Sequence, residues 1–119
     1  MADELKATLT VRYNKDSVSA KSPGATISLD VTGEGIQSGV QSIGTTAEAL
    51  GKGDITTIGW VWLKNLDLSN YVELSVDGGT NFFGKLEPGE ETFLPIHTAN
   101  IHAKADTTSC SVQYMLIEE

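Results

Sequence analysis

Ile55–Val76 reads ITTIGWVWLKNLDLSNYVELSV and holds both tryptophans and the longest apolar run of the chain. Within Ile58–Leu63 (IGWVWL) only Gly59 interrupts the apolar character. A short run of this kind, rich in β-branched and aromatic residues, predicts a core strand with both faces covered. Asn65, Asp67, Ser69 and Asn70 then cluster, and such side chains favour turns because they hydrogen-bond nearby backbone. Beyond them Val72, Leu74 and Val76 alternate with Glu73, Ser75 and Asp77, the period of a half-buried strand. Trp60 and Trp62 are two apart and point the same way, while Val61 and Leu63 take the other face. Two assignments follow. With Val61 and Leu63 inside, the indole rings lie outside as a stacking platform or a protein interface. With the rings inside, they are core, and at least one tryptophan is expected there. Either assignment leaves an apolar face over, which predicts an oligomer.

The flanking sequence repeats the β pattern. Leu5, Ala7, Leu9, Val11 and Tyr13 alternate with polar residues, predicting a first strand with one buried face. Asn14-Lys15-Asp16 predicts a turn, Asp16–Lys21 a weak second strand, and Ser22-Pro23-Gly24 a break. Ala25–Thr32 (ATISLDVT) alternates again. Gly33–Gly44 (GEGIQSGVQSIG) carries four glycines, too many for a regular core strand, with Ile36, Val40 and Ile43 as pegs onto the core as the segment crosses an edge. Thr45-Thr46-Ala47-Glu48 fits a capping box and predicts one helical turn over Thr46–Leu50, with plain loop as the rival reading. Asp77-Gly78-Gly79-Thr80 predicts a hairpin. Asn81–Leu86 is a short aromatic strand, and Pro95 places Thr92–His97 at an edge or a bulge. Ile101, Ala103 and Ala105 alternate in the next strand. Ser109–Ile117 closes the pattern with Cys110, Val112, Tyr114 and Leu116 on one face, and Met115 and Ile117 opposite, either covered or at an interface. About eight short strands separated by regular turn signals predict an all-β, antiparallel, jelly-roll-like β-sandwich with at most one helical turn, as a single domain over residues 1–119.

Composition narrows the function. Of the 119 residues, 8 are basic and 16 acidic, a net charge of −8. Without a basic cluster, this argues against nucleic acid as a partner. No apolar run approaches membrane-spanning length, and MADELKATL lacks the basic and apolar regions of a signal peptide, so synthesis in a cytoplasm and no membrane partner are expected. Cys110, the single cysteine, lies inside a strand pattern and reads as a buried, unreactive thiol.

Chemistry-bearing patterns are weak. His97 and His102 are five apart with no third ligand indicated, and they read as surface or turn histidines before a zinc pair. The acidic Asp77 loop does not match a calcium-binding spacing. Glu73 with Asp77, and Glu90 with Glu91, read as solvated surface and not as a glycosidase pair. No nucleophile elbow or dinucleotide fingerprint is present. No cofactor, metal site or catalytic residue is expected, and a small hydrolase is the weakest reading.

Longer stretches carry a resemblance: GTTAEAL (44–50), GDITTIGWVWLKNLDLSNYVELSVD (53–77), KLEPGEETFLPI (85–96), IHAKA (101–105) and SVQYMLIEE (111–119). With Gly59-Trp60, Asn65-Leu66-Asp67, Asn70-Tyr71-Val72-Glu73, Lys85-Leu86, Gly89-Glu90 and Ala103-Lys104-Ala105, the chain resembles small virion-associated proteins of tailed bacteriophages. The likeness spans roughly residues 44–119. It implies a non-enzymatic β-sandwich built into the virion in many copies, as a head decoration or a tail-associated component. It also implies self-assembly, or docking on major capsid or tail proteins, and no cofactor. A homo-oligomer is expected, a trimer being one form. Interface candidates are Trp60, Trp62, Tyr71, Met115 and Ile117. The alternative is a carbohydrate- or receptor-binding module that stacks its ligand on Trp60, Trp62 or Tyr71, beside Asn65 and Asp67.

Overall fold

In a computed structural model, which describes residues 4–22 and 26–119, all regular structure among the described residues is β-strand. The predicted break at Pro23-Gly24, the residue Ala25 that opens the next predicted strand, and the first three residues of MADELKATL lie outside the described residues.

The chain clusters into two units, Met1–Thr32 and Gly33–Glu119. In the first, β1 (Leu5–Thr8) pairs antiparallel with β4 (Thr26–Leu29), and β2 (Arg12–Lys15) with β3 (Val18–Lys21). The single first strand predicted over Leu5–Tyr13 is thus two strands with different partners. The β2–β3 turn falls at Asp16-Ser17, one step later than the sequence implied, with Asp16 at a φ of 54°. Each ladder has only two strands, so neither builds a covered face, and Val11 (67% exposed) and Tyr13 remain outside.

The second unit is a sandwich of two four-stranded antiparallel sheets. The first sheet runs in the order β10 (Glu91–Thr98), β7 (Ile58–Asn65), β12 (Cys110–Glu118), β5 (Ile36–Ile43). The second runs β6 (Glu48–Ala49), β11 (His102–Ala105), β8 (Val72–Ser75), β9 (Gly84–Leu86). Val61, Leu63, Val112 and Leu116 of the first sheet share one core with Val72, Leu74, Ala103 and Ala105 of the second. The small side chains of Ala103 and Ala105 let the sheets approach closely there.

Gly59, the lone break in the apolar run, has a steric reason. A Cβ there would come within 2.8 Å of the Glu119 Cα and 3.1 Å of its nitrogen, because the register of β12 against β7 shifts between Ile117 and Glu118. Backbone on both sides leaves nothing to yield.

One expectation fails. Thr46–Leu50 is no helix: Glu48 and Ala49 form β6 against His102 and Ala103. The Glu48 carboxylate does reach back, but to the Gly44 N–H (3.3 Å) and the Gln41 amide (3.2 Å). The same Thr-x-x-Glu pattern that starts a helix here holds a two-residue strand in place. The glycine-bearing segment is no core strand, as its glycines imply, yet it is regular: β5 pairs with β12 without interruption from Ile36↔Ile117 to Cys110↔Ile43. It lies at the sheet edge, where Gly39 costs little packing, and only Ile43 enters the core. Pro95 occupies the opposite edge strand, where a missing N–H is tolerated, next to a register shift between Pro95 and Thr98.

Candidate functional site

Antiparallel register places directly opposed residues on one face. With Val61 and Leu63 fully buried between the sheets, β7 turns Trp60, Trp62 and Lys64 outward. Trp62 then lies between Phe93 of β10 and Met115 of β12, and Trp60 between Pro95 and Ile117. β5 extends these rows with Ser38 beside Met115 and Ile36 beside Ile117. Four of the five interface candidates, Trp60, Trp62, Met115 and Ile117, therefore share one outer face. The sequence had missed Phe93, and it had sent Ile36 and Val40 inward; they are 63% and 60% exposed on this same face. The glycines of this segment do signal an edge; what they leave open is that two of the three apolar side chains face out.

One tryptophan is buried, as expected, but on the outer face of the sheet. Trp60 is 7% exposed yet stands outside the inter-sheet cluster, with the His97 ring edge-on to it at 5.4 Å. The His97 Nδ1 in turn lies 2.7 Å from the Glu119 carboxylate. Trp62 is half-buried and its Nε1 donates to Glu91 at 2.9 Å, which fixes the indole across the face.

Tyr71 is elsewhere. It precedes β8, whose Val72 points into the core, and the Lys85 ammonium sits 4.3 Å from its ring centroid. The negative charge of Asp106 beside it raises the Tyr71 phenol above its usual range. Trp60 and Trp62 thus stand on β7 of the first sheet, whereas Tyr71 stands in the connection that enters β8 of the second. His97 and His102 are also apart, one in β10 and one in β11 of the other sheet. Among the described residues no three His, Cys, Asp or Glu side chains come together as a metal site. Cys110 is 1% exposed, and burial, followed by the charges of Asp67 and Asp106, pushes its thiol up and away from the nucleophilic thiolate.

Several carboxylates serve as loop anchors. Asp77 accepts from the N–H groups of Thr80 (3.1 Å) and Asn81 (2.9 Å), the Asn81 amide (2.9 Å) and the Ser75 hydroxyl (2.7 Å), organising the β8–β9 connection that the sequence read as a hairpin. These donors, the Asn81 N–H first, hold its carboxyl far below the usual range. Glu118 is lowered by the N–H groups of Thr56, Gly35 and Glu34, and Asp67 by those of Asn70 and Ser69. Folded-state values below the unfolded ones mean that unfolding takes up protons, so this stabilisation is complete above the ordinary values of 3.8 and 4.5 and is lost as pH falls through and below them. A melting series from neutral to strongly acid pH is expected to show Tm falling only on that acid limb. Asp77→Asn is expected to flatten the limb; an unchanged acid slope would mean that the anchor does not survive in solution.

No protein-family model and no curated protein matches the chain.

Proposed function

We propose that the chain is a non-enzymatic structural protein of a bacteriophage particle, a head-decoration or tail-associated component that acts through protein–protein contacts and self-assembly. The observation that carries this reading is the outer face of the first sheet. Trp62, Phe93, Met115 and Ile117 are lined up there by register, although the inter-sheet core is complete without them. Apolar side chains gathered on the outside of a finished sandwich favour a partner surface. The strand orders support a jelly roll: each sheet takes four of the eight strands, and β12 lies between β5 and β7 while β11 lies between β6 and β8. That architecture recurs in viral capsid and lectin domains, a fold-level analogy only. The residues that resemble phage virion proteins fall on working parts of the sandwich, with Gly59-Trp60 at the β12 crossing and Asn65 and Asp67 in the turn after β7. The partners that fit are further copies of the chain and the major capsid or tail proteins of the particle.

Mass spectrometry of purified particles, set against the particle-free fraction of the same lysate, tests the assignment. The chain is expected among the particle proteins in many copies; its confinement to the particle-free fraction overturns the reading. Met115→Lys puts a charge in the middle of the face. It is expected to weaken particle binding by about tenfold or more, because a charge is desolvated without a partner. Met115 is 38% exposed and outside the core, so Tm is expected to stay near that of the parent chain.

A further inference from the structure

The sandwich has four sheet edges, and three are protected. β6 is two residues long, and β9 is three. β10 carries Pro95, a register shift and His97 at a φ of 44°. These are the devices by which proteins stop edge strands from pairing with other chains. β5 has none of them. It is eight residues long, IQSGVQSI, without a proline, a charge or a break in register against β12.

Its unused hydrogen-bonding row can be identified. The Glu118 N–H donates to the Gly35 carbonyl and the Leu66 N–H to the Ser111 carbonyl. In an antiparallel ladder the bonded pairs alternate, so Gln37, Gly39, Gln41 and Ile43 direct their backbone groups to β12. Ile36, Ser38, Val40 and Ser42 direct theirs away. Among the described residues none of these four N–H or C=O groups has a hydrogen-bond partner.

We infer that this edge is a pairing surface for β5 of a second copy of the chain, the two strands running antiparallel across a two-fold axis. The inference rests on the self-assembly reading and names the surface that performs it. Three features select a second copy. Antiparallel pairing of a strand with itself is self-complementary, because each outward N–H meets an outward C=O of the same row. Two chains of net charge −8 repel, and an uncharged eight-residue strip lets their edges meet without opposed like charges. Bonded partners in such a ladder share a face, so Ile36 and Val40 of both copies join the outer apolar face and carry it across the axis. A self-pairing strand is satisfied by one partner; this contact yields a dimer, and any larger ring needs the apolar face as a second contact.

The test combines light scattering after size exclusion with residue-resolved amide hydrogen exchange on the full chain, dilute and concentrated. The concentrated chain is expected to be dimeric, with the amides of Ile36, Ser38, Val40 and Ser42 protected in the dimer and exposed in the dilute monomer. Ser38→Pro removes an outward N–H without touching the β12 ladder, and Val40→Lys places a charge beside the axis. Each is expected to weaken the dimer by about 30-fold, since the loss is counted twice across a two-fold axis. Hydrogen exchange in β12 reports whether each variant is folded. If the chain associates while the four amides exchange freely, the pairing is overturned and the self-assembly reading stands. If the four amides are already protected in the monomer, the edge is covered by the chain itself and the pairing is overturned. A chain that stays monomeric when concentrated overturns the pairing and removes self-association from the functional reading. Particle mass spectrometry then judges the virion assignment separately.

Discussion

Asn65→Ala is expected to destabilise the sandwich by about 4 kcal/mol, the largest loss from any single polar side chain in the second unit. Asn65 is fully buried at the end of β7. Its Nδ2 donates to the carbonyls of Asn70 (2.9 Å) and Leu86 (3.0 Å), and its Oδ1 accepts from the Asp67 N–H at 2.9 Å. One amide therefore ties the turn after β7 to the end of β9. Truncation removes three hydrogen bonds and strands polar backbone groups that water reaches poorly, and each stranded group costs about 1–3 kcal/mol. Urea unfolding is the measurement, with a lowered midpoint and an unchanged slope expected. A loss under about 1 kcal/mol would mean that the backbone groups find other partners. Asn65→Asp is expected to be no better, since a carboxylate has no N–H for the two carbonyls.

Leu63→Ala should cost about 3 kcal/mol, at the centre of the inter-sheet core. Leu63 is 0% exposed and lies between Thr92 and Tyr114 in the first sheet. Both strands flanking β7 hold it in register, so the site can close only partially over the missing methyl groups. Leu68→Ala, in the turn that follows, is the internal control. That side chain is 95% exposed, and its removal is expected to change stability by less than about 0.5 kcal/mol. Thermal or urea unfolding of the two variants side by side decides the matter. Equal effects would show that the apolar run after Gly59 is not the core of the molecule.

That contrast shows how far the sequence could be read. The run over Ile58–Leu63 was legible as a central strand because its apolar density exceeds what one face needs. The alternation in Cys110–Leu116 likewise gave the buried set of β12 without error. What periodicity does not carry is which neighbours a strand acquires. Leu5–Tyr13 alternates cleanly, yet its alternation promised a buried face that two-stranded ladders do not build. Ile36 and Val40 look like core pegs even on an edge strand, and only the pairing with β12 shows that both face out. Trp60 and Trp62 could not be assigned to a face, because β7 is apolar on both sides and only its pairing with β10 and β12 settles the matter. Thr45–Glu48 misleads for a different reason. The back-reaching carboxylate is real, but the donor it finds belongs to a strand exit and not to a helix start.

The candidate site was legible to a similar degree. Four of its residues were named from strand parity alone, whereas Phe93 comes from β10, whose position beside β7 has no local signature. Tyr71 is near the tryptophans in sequence, but the turn after β7 carries it to the edge of the other sheet's β8.

The place of β12 in the first sheet has a consequence for the order of events on the ribosome. β12 follows all the other described strands in the chain, yet it lies between β5 and β7 and is the one neighbour of β5 among the described strands of that sheet. At about 5–20 residues per second, translation from Ile43 to Cys110 leaves β5 unpaired on both sides for several seconds. During that interval its uncharged sequence is open to the β5 strands of neighbouring nascent chains on the same message. Chains released early, before Cys110, would keep that exposure permanently. Polysome density and translation speed thus become determinants of yield.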